Sequence, residues 1–429
     1  MEITCGLDFG TSNSAIAVGD ERGVKSLEID DFNNNKTTIK SILYYDEEDR
    51  IFYFGQRAVD VYIENDACGR YMQSIKTYLK DKTFVRTTIG SKSFTLEELI
   101  AKILGNIKSQ AEKSIGKQIA NVVLGRPVVF SSDTSIDAFA EKRLISAAKI
   151  AGFRNVFLQL EPVAAAISCE SFLREKQEKV MLVGAFGAGT SDFTIMKVDP
   201  TNTIFQDRSH DILATSGVYI GGDTFDSQIM WEKIAKYFGR FTKIHTMTSK
   251  ISGGPERDEF PVSILRKLCK WHLIPQLKTP QIRQYLTELK YLTEDKSSIV
   301  NIETLIDDNY GYMLFRAIEL AKCKLSTYNA AHIVFNENNL SIHEELLLAE
   351  LERMLKQAVV QLNNCMEETL QLAGLRKTDV DIIFLTGGTS HIPCIRNIFT
   401  SGFTNASIYN GDAFTSVAHG LGIQSAMYR

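Results

Sequence analysis

Apolar and polar positions along this chain of 429 residues change period several times, and the changes mark its elements. Residues 3–7, 14–18, 24–28 and 41–45 are short apolar runs separated by turn residues, which predicts a β-meander, with 30–36 (DDFNNNK) as a polar loop. After Thr95 the period lengthens. Leu96, Leu99, Ile100, Ile103, Leu104 and Ile107 recur at helical spacing, and Thr95 with Glu98 forms a capping box. Residues 121–130 read as a buried strand that Pro127 interrupts. Residues 137–150 read as a helix closed by Gly152. A strand at 155–159 then meets Glu161 and Pro162, a helix start with proline in its first turn.

Further on, 180–198 predicts strand, turn, strand. Asp223 is expected to cap a helix over 224–237, and residues 238–308 are the least regular part, with Gly253, Gly254 and Pro255 and the two tryptophans, Trp231 and Trp271, nearby. A helix over 310–327 and a strand over 330–335 follow. Ser341 with Glu344 reads as the capping box of a long helix over 344–372. The last elements are a buried strand at 381–385, the double-glycine turn Thr386-Gly387-Gly388-Thr389-Ser390, a helix from Ile392-Pro393, and a helix over 414–427.

The 180–198 stretch, VMLVGAFGAGTSDFTIMKV, carries three glycines in six residues, then Thr190, Ser191 and Asp192. Glycines let backbone approach a ligand, and hydroxyls with turn amides suit phosphate oxygens. Residues 3–18, ITCGLDFGTSNSAIAV, repeat the pattern. Asp8-Phe9-Gly10 falls on Ala185-Phe186-Gly187, and Thr11-Ser12-Asn13 on Thr190-Ser191-Asp192, with the second copy two residues longer (Ala188 and Gly189). A motif repeated half a chain apart predicts two related lobes, each offering a hairpin to one polyphosphate. Where the first copy has Asp8, the second has Ala185.

Composition narrows the function. The chain is 44% hydrophobic and 23% charged with net charge −4, so nothing calls for nucleic acid or an anionic membrane surface. No apolar run approaches the ~18 residues a membrane span needs. The seven cysteines are scattered without a CxxC pair, which fits a cytoplasmic setting and no zinc site.

In order along the chain stand GLDFGTSNS (6–14), GRP (125–127), LEPVAAA (160–166), GAGTSD (187–192), GGDTFD (221–226), ELAKCKLS (319–326), FLTGGTSHIP (384–393) and AHGLGIQSA (418–426). This set resembles the actin-like ATPase superfamily, and within it the nucleotide-binding domain of DnaK-type heat-shock chaperones. With no peptide-binding domain after residue 429, the chain is similar to the short, YegD-like bacterial branch. The resemblance implies an α/β fold of two actin-like (ribonuclease H-like) lobes with mixed sheets and a nucleotide cleft between them. The first lobe would span 1–178 with an insertion at about 40–116, the second 179–429 with an insertion at about 229–345.

It also implies roles. Gly10, Thr11, Ser12 and Asn13, with Gly187, Ala188, Gly189, Thr190 and Ser191, would hold the phosphates of ATP or ADP. Asp8 would orient Mg2+ through its water shell. Lys76 would meet the terminal phosphate, Glu161 would stand near the attacking water, and Asp192 is the last aspartate of the second phosphate motif. Pro127 would switch with nucleotide state. Gly221 and Gly222 belong to a further glycine turn at the nucleotide. Glu319, Lys322 and Ser326 would face adenosine, Gly387, Gly388 and Ser390 ribose and adenine, and Asp412 the closing loop. Two departures stand out. Ala185 replaces an aspartate that positions magnesium and the attacking water, and losing one such group implies hydrolysis slowed by ~10²–10³-fold, with binding less affected. The alanine is either natural or an introduced change that traps ATP. Cys323 replaces an arginine that stacks on adenine. The expected function is a nucleotide-dependent switch related to chaperones, meeting a partner protein through its insertions. The alternatives are a sugar-type small-molecule kinase and a filament-forming actin-like protein.

Overall fold

The computed structural model describes residues 3–20, 23–65, 68–173, 177–199, 208–245, 257–412 and 415–428. Its core is one motif built twice. In the first copy, β1 (Ile3–Phe9), β2 (Asn13–Asp20) and β3 (Gly23–Ser26) run antiparallel, and β4 (Ile119–Arg126) and β5 (Asn155–Leu160) continue parallel from β1, giving the order β5-β4-β1-β2-β3. In the second, β6 (Lys179–Phe186), β7 (Ser191–Val198) and β8 (Ile212–Val218) are the antiparallel trio, with β9 (Ile382–Thr386) and β10 (Ser407–Asn410) parallel beyond β6, giving β10-β9-β6-β7-β8. Helices occupy matching places: α1 (Leu96–Ile115), α2 (Thr134–Ile150) and α3 (Glu161–Glu170) in the first copy, α4 (Leu348–Leu372), α5 (Pro393–Thr400) and α6 (Ser416–Ser425) in the second. Central strands are buried on both faces, as sheets covered by crossover helices require.

Leu99, Ile100 and Ile103 of α1 and Leu144 and Ala147 of α2 pack with Cys5, Leu7 and Val122 of the first sheet. The last helix of each copy covers the other copy's sheet. Ala165, Ala166 and Cys169 of α3 pack on Met181, Val183, Met196 and Ile382. Leu421 of α6 packs on Val123, and a Cβ at Gly6 would come 2.2 Å from the Gly422 nitrogen. The two helices meet at Gly420, where a Cβ would lie 1.8 Å from the Ala164 carbonyl oxygen. Only glycine allows that approach.

Contacts divide the chain into two units, residues 1–222 with 359–429, and residues 223–358. In the first unit, residues after β3 add a strand to β2 (Thr38–Lys40) and form a separate three-stranded sheet, Ile51–Phe54, Ile42–Asp46 and Arg70–Gln73. The fourth run of the expected meander therefore leaves the first sheet. The second unit holds helices Val262–Leu268, Pro280–Leu292, Lys296–Asp307 and Gly311–Lys324, and a hairpin of Ala330–Glu337 with Leu340–Leu347. Among the described residues no helix is long and apolar enough to cross a membrane.

The capping boxes came out differently from one another. At Thr95 both bonds form, Thr95 Oγ1 accepting from the Glu98 amide at 3.2 Å and Glu98 accepting from the Thr95 amide at 2.7 Å. At Ser341 no cap exists. Ser341 and Glu344 lie in a strand, Ser341 donates to Asn336 at 2.6 Å, and the helix starts at Leu348. Leu340, Ile342 and Leu346 are buried at alternate positions, and that period of two overrides the local S-x-x-E signal. Asp223 lies inside the first turn of helix Gly222–Ile229 rather than capping it. That helix widens to a π turn at Met230–Ile234 and tightens to a 3₁₀ turn at Ala235–Phe238 before Gly239 at φ +89°. The stretch expected to be irregular is largely helical, its helices started by Thr279 and Asp295 side chains and by Pro280. Gly253, Gly254, Pro255 and Phe414 lie outside the described residues.

Candidate active site

The two glycine hairpins match more closely than their sequences suggest. Phe9 pairs with Ser14 and Asp8 with Ala15, while Phe186 pairs with Ser191 and Ala185 with Asp192. The closing pairs thus enclose the same number of residues, 10–13 and 187–190, with Asn13 already in β2. Ser191 answers Ser14, and Asp192 answers Ala15, not Asn13. Backbone pairing sets the register where residue matching had put an insertion. Each hairpin consequently carries one carboxylate and one alanine in the same cross-strand pair, on opposite strands. The loops approach one another: a Cβ on Gly189 would stand 3.8 Å from Thr11 Oγ1.

Both loops are braced from behind. Ser41 Oγ donates to the Gly10 carbonyl at 2.7 Å and lies 2.8 Å from Ser14 Oγ, and the Ser41 amide donates to the Ser12 carbonyl at 2.9 Å. Ser191 Oγ donates to the Ile220 carbonyl at 2.6 Å, and the Gly222 amide donates to the Gly187 carbonyl at 3.1 Å. A Cβ on Gly221 would meet the Ala188 carbonyl oxygen at 2.4 Å. Gly221, Gly222 and Ser191 therefore shape the second hairpin. Ser41 was missed in the sequence, where an isolated serine at a strand start carries no signal.

Lys76 sits in the 3₁₀ turn Ile75–Lys80, which Ser74 opens in the left-handed region at φ +52°. The lysine is 8% exposed, and its Nζ lies 2.7 Å from Glu161 Oε1 and 6.0 Å from the centre of the Phe9 ring. Glu161 begins α3, where Pro162 takes an early helical position. Asp8 and Asp192 close the group. Burial, and then the Glu161 charge, hold the Asp8 carboxyl well above the ordinary aspartate range, with Lys76 opposing. Burial and Glu161 push Asp192 up to about 7, against the Thr190 hydroxyl and Lys76. Thr190 Oγ1 donates to Asp192 Oδ2 at 3.2 Å, while buried Oδ1 has no hydrogen-bond partner.

Three carboxylates around one lysine are short of positive charge. Together with an unpartnered buried carboxylate oxygen and loops of glycines and hydroxyls, this donor set fits a polyphosphate carrying a divalent cation.

The third glycine turn follows β9. Gly387 has φ +90°, and a Cβ there would stand 2.0 Å from the Phe186 carbonyl oxygen, so this turn is pressed against the second hairpin. Gly388 faces open space. Ser390 Oγ is used internally, donating to the Gly387 carbonyl at 2.7 Å. Asp412 is exposed and accepts from the Thr415 amide at 2.9 Å, just before α6.

The remaining candidates lie in the second unit. Helix Gly311–Lys324 exposes Glu319 and Cys323 but buries Lys322, whose Nζ pairs with Asp226 at 2.8 Å. Burial, then the Asp226 charge, push Asp223 up to about 7. Ser326 follows the helix, its amide donating to the Cys323 carbonyl at 3.1 Å.

A five-stranded mixed sheet built twice, with a glycine hairpin from each copy facing the other, defines the actin-like ATPase class of two-lobed α/β proteins. Within that class the Hsp70 protein family profile matches residues 4–252 and 287–429. The chain belongs to the Hsp70 family. Among curated proteins it is similar to the chaperone protein DnaK of Mycoplasmopsis pulmonis, 24% identical over 92% of this chain. The DnaK of Mycoplasma mobile is 24% identical over 98% of it, and that of Cyanidium caldarium 25% over 100%. The chain spans 54%, 58% and 61% of the lengths of these relatives.

Proposed function

We propose that this chain binds ATP with Mg2+ between its two hairpins and acts as a nucleotide-dependent switch related to DnaK-type chaperones. The observation that carries the reading is the meeting of Lys76, Glu161, Asp8 and Asp192 beside two hairpins whose closing pairs enclose the same number of residues. In this reading the amides of residues 10–13 and 187–190 hold phosphate oxygens, with Thr11 and Thr190 adding hydroxyls. Magnesium, when bound, neutralises phosphate charge and polarises the terminal group. Asp8 and Asp192 face its water shell. Lys76 leaves Glu161 for the terminal phosphate, and Glu161, freed of its partner, accepts the proton of an attacking water. Glu319, Lys322, Ser326, Gly387, Gly388 and Ser390 serve the nucleoside. Cys323 offers no stacking surface, so discrimination for adenine is weaker.

Ala185 removes one of the carboxylates that would orient the water. Nucleotide binding is retained and hydrolysis is slow. We assign the chain to the cytoplasm, a setting its free, scattered cysteines support. A partner protein is read at the inserted segments, which sit outside the duplicated core. We read the two lobes as residues 1–178 and 179–429, each carrying one copy of the duplicated sheet.

The test is calorimetric titration of ATP and ADP with and without Mg2+, paired with turnover, for the natural chain and Ala185→Asp. Magnesium-dependent binding in both, with turnover arising in the aspartate form, supports the reading. Absence of nucleotide binding in both removes it.

A further inference from the structure

Arg126 takes part in none of the contacts described so far. It ends β4, directly before Pro127, and its side chain is 13% exposed. Its guanidinium uses all three nitrogens. Nε donates to the Pro127 carbonyl at 3.0 Å, Nη2 to the Val128 carbonyl at 3.2 Å and to Asp137 Oδ2 at 2.9 Å, and Nη1 to the Glu141 carboxylate. The Phe130 ring centre lies 5.0 Å from the guanidinium carbon. Asp137 turns its other oxygen to the same segment, accepting from the Phe130 amide at 2.5 Å and the Ser131 amide at 3.4 Å. Asp137 and Glu141 stand one turn apart on α2, so residues 127–131 are laced to that helix through a single planar fork. Lysine, a point charge, cannot reproduce the fork.

The same segment also meets the second copy of the core. The Val128 amide lies near enough to Asp192, and the Ser131 hydroxyl near enough to the phenol of Tyr219, just past β8, to favour the ionised form of each. Tyr219 is also within electrostatic range of Asp137 and Asp192, and its ring carries Lys80 Nζ at 4.2 Å. Lys80 ends the 3₁₀ turn that carries Lys76.

We propose that Arg126 is a positioning residue, which holds residues 127–131 against α2 so that they set Asp192 and Tyr219 in place. Its consequence for the nucleotide rests on the function proposed above; its structural part does not. Without Arg126 the segment swings free, and Asp192 and Tyr219 lose the neighbours that Val128 and Ser131 give them.

Hydrogen exchange of the nucleotide-free chain tests this, comparing the natural protein with Arg126→Lys, Arg126→Gln and Asp137→Asn. Exchange should speed up in residues 127–131 and again around 217–220, on the order of tenfold or more, the scale set by losing hydrogen bonds to a charged group. The strand over 181–186 should stay protected. The lysine variant keeps the charge and carries the test if the glutamine form does not fold. Faster exchange confined to residues 134–150, or no change at 217–220, overturns the proposal. ATP affinity of the same variants is a separate arm. If the natural chain binds no ATP, the nucleotide reading fails while the exchange result still decides the role of Arg126.

Discussion

Ala185 and Asp192 share one cross-strand pair, as Asp8 and Ala15 do in the other hairpin. Ala185→Asp would put a third carboxylate at the hairpin bases, opposite one already pushed upward by burial and Glu161. Turnover should rise by ~10²–10³-fold, the scale of restoring one preorganised stabiliser, with ATP affinity within about tenfold of the natural chain. A phosphate-release assay alongside titration separates the two. Asp192 also predicts a pH dependence of stability. Its folded value is raised to about 7 from an ordinary 3.8, so its contribution is full below the ordinary value and is lost as pH rises through about 7. Asp192→Asn removes that loss. Between about pH 5 and pH 8 the variant should gain on the order of 2 kcal/mol relative to the natural chain in denaturant unfolding. A difference independent of pH would show that the carboxyl titrates normally. Few of these residues announce themselves. The hairpin glycines are visible as a repeat, and Glu161 stands out as a carboxylate at a strand end before a proline-started helix, but Lys76 is an ordinary charge singled out only by family resemblance. Ser41 acts through backbone 29 and 31 residues earlier, and Tyr219 through side chains far along the chain, which spacing does not encode.

At the scale of elements, glycines decide which pieces can touch. Gly387 combines φ +90° with a Cβ path ending 2.0 Å from the Phe186 carbonyl oxygen. Gly387→Ala should cost about 2–4 kcal/mol, beyond the usual glycine effect, because backbone must move. Thermal unfolding measures it, and a loss under about 1 kcal/mol would mean that the turn yields easily. Gly388→Ala, which faces open space, is the control. Elements with a strong period were legible: α1 with its complete cap, the strands around 180–198 and the buried strand before Gly387. Ser341 was not, because a capping pattern of four residues competes with an alternation over eight, and burial favours the longer one. Hairpin register was also illegible, since matching like residues placed Asp192 on Asn13 while hydrogen bonding places it on Ala15.

At the scale of the molecule, ligand binding should appear as stability. Saturating Mg·ATP at about a hundred times its Kd stabilises the folded state by about 2.7 kcal/mol. The thermal midpoint should rise accordingly, and less in Lys76→Met at the same concentration. Equal shifts in both would remove Lys76 from the phosphate site.

The exchange of terminal helices between the two copies has a consequence for independence: neither copy is complete alone. Helix α3 touches the first sheet through Ala164 but turns Ala165, Ala166 and Cys169 onto the second, and α6 returns to cover the first. A protein made of one copy alone would leave a sheet face bare and a helix without a seat. Two such chains could satisfy each other only by trading helices about a twofold axis through the crossing now occupied by Gly420 and Ala164.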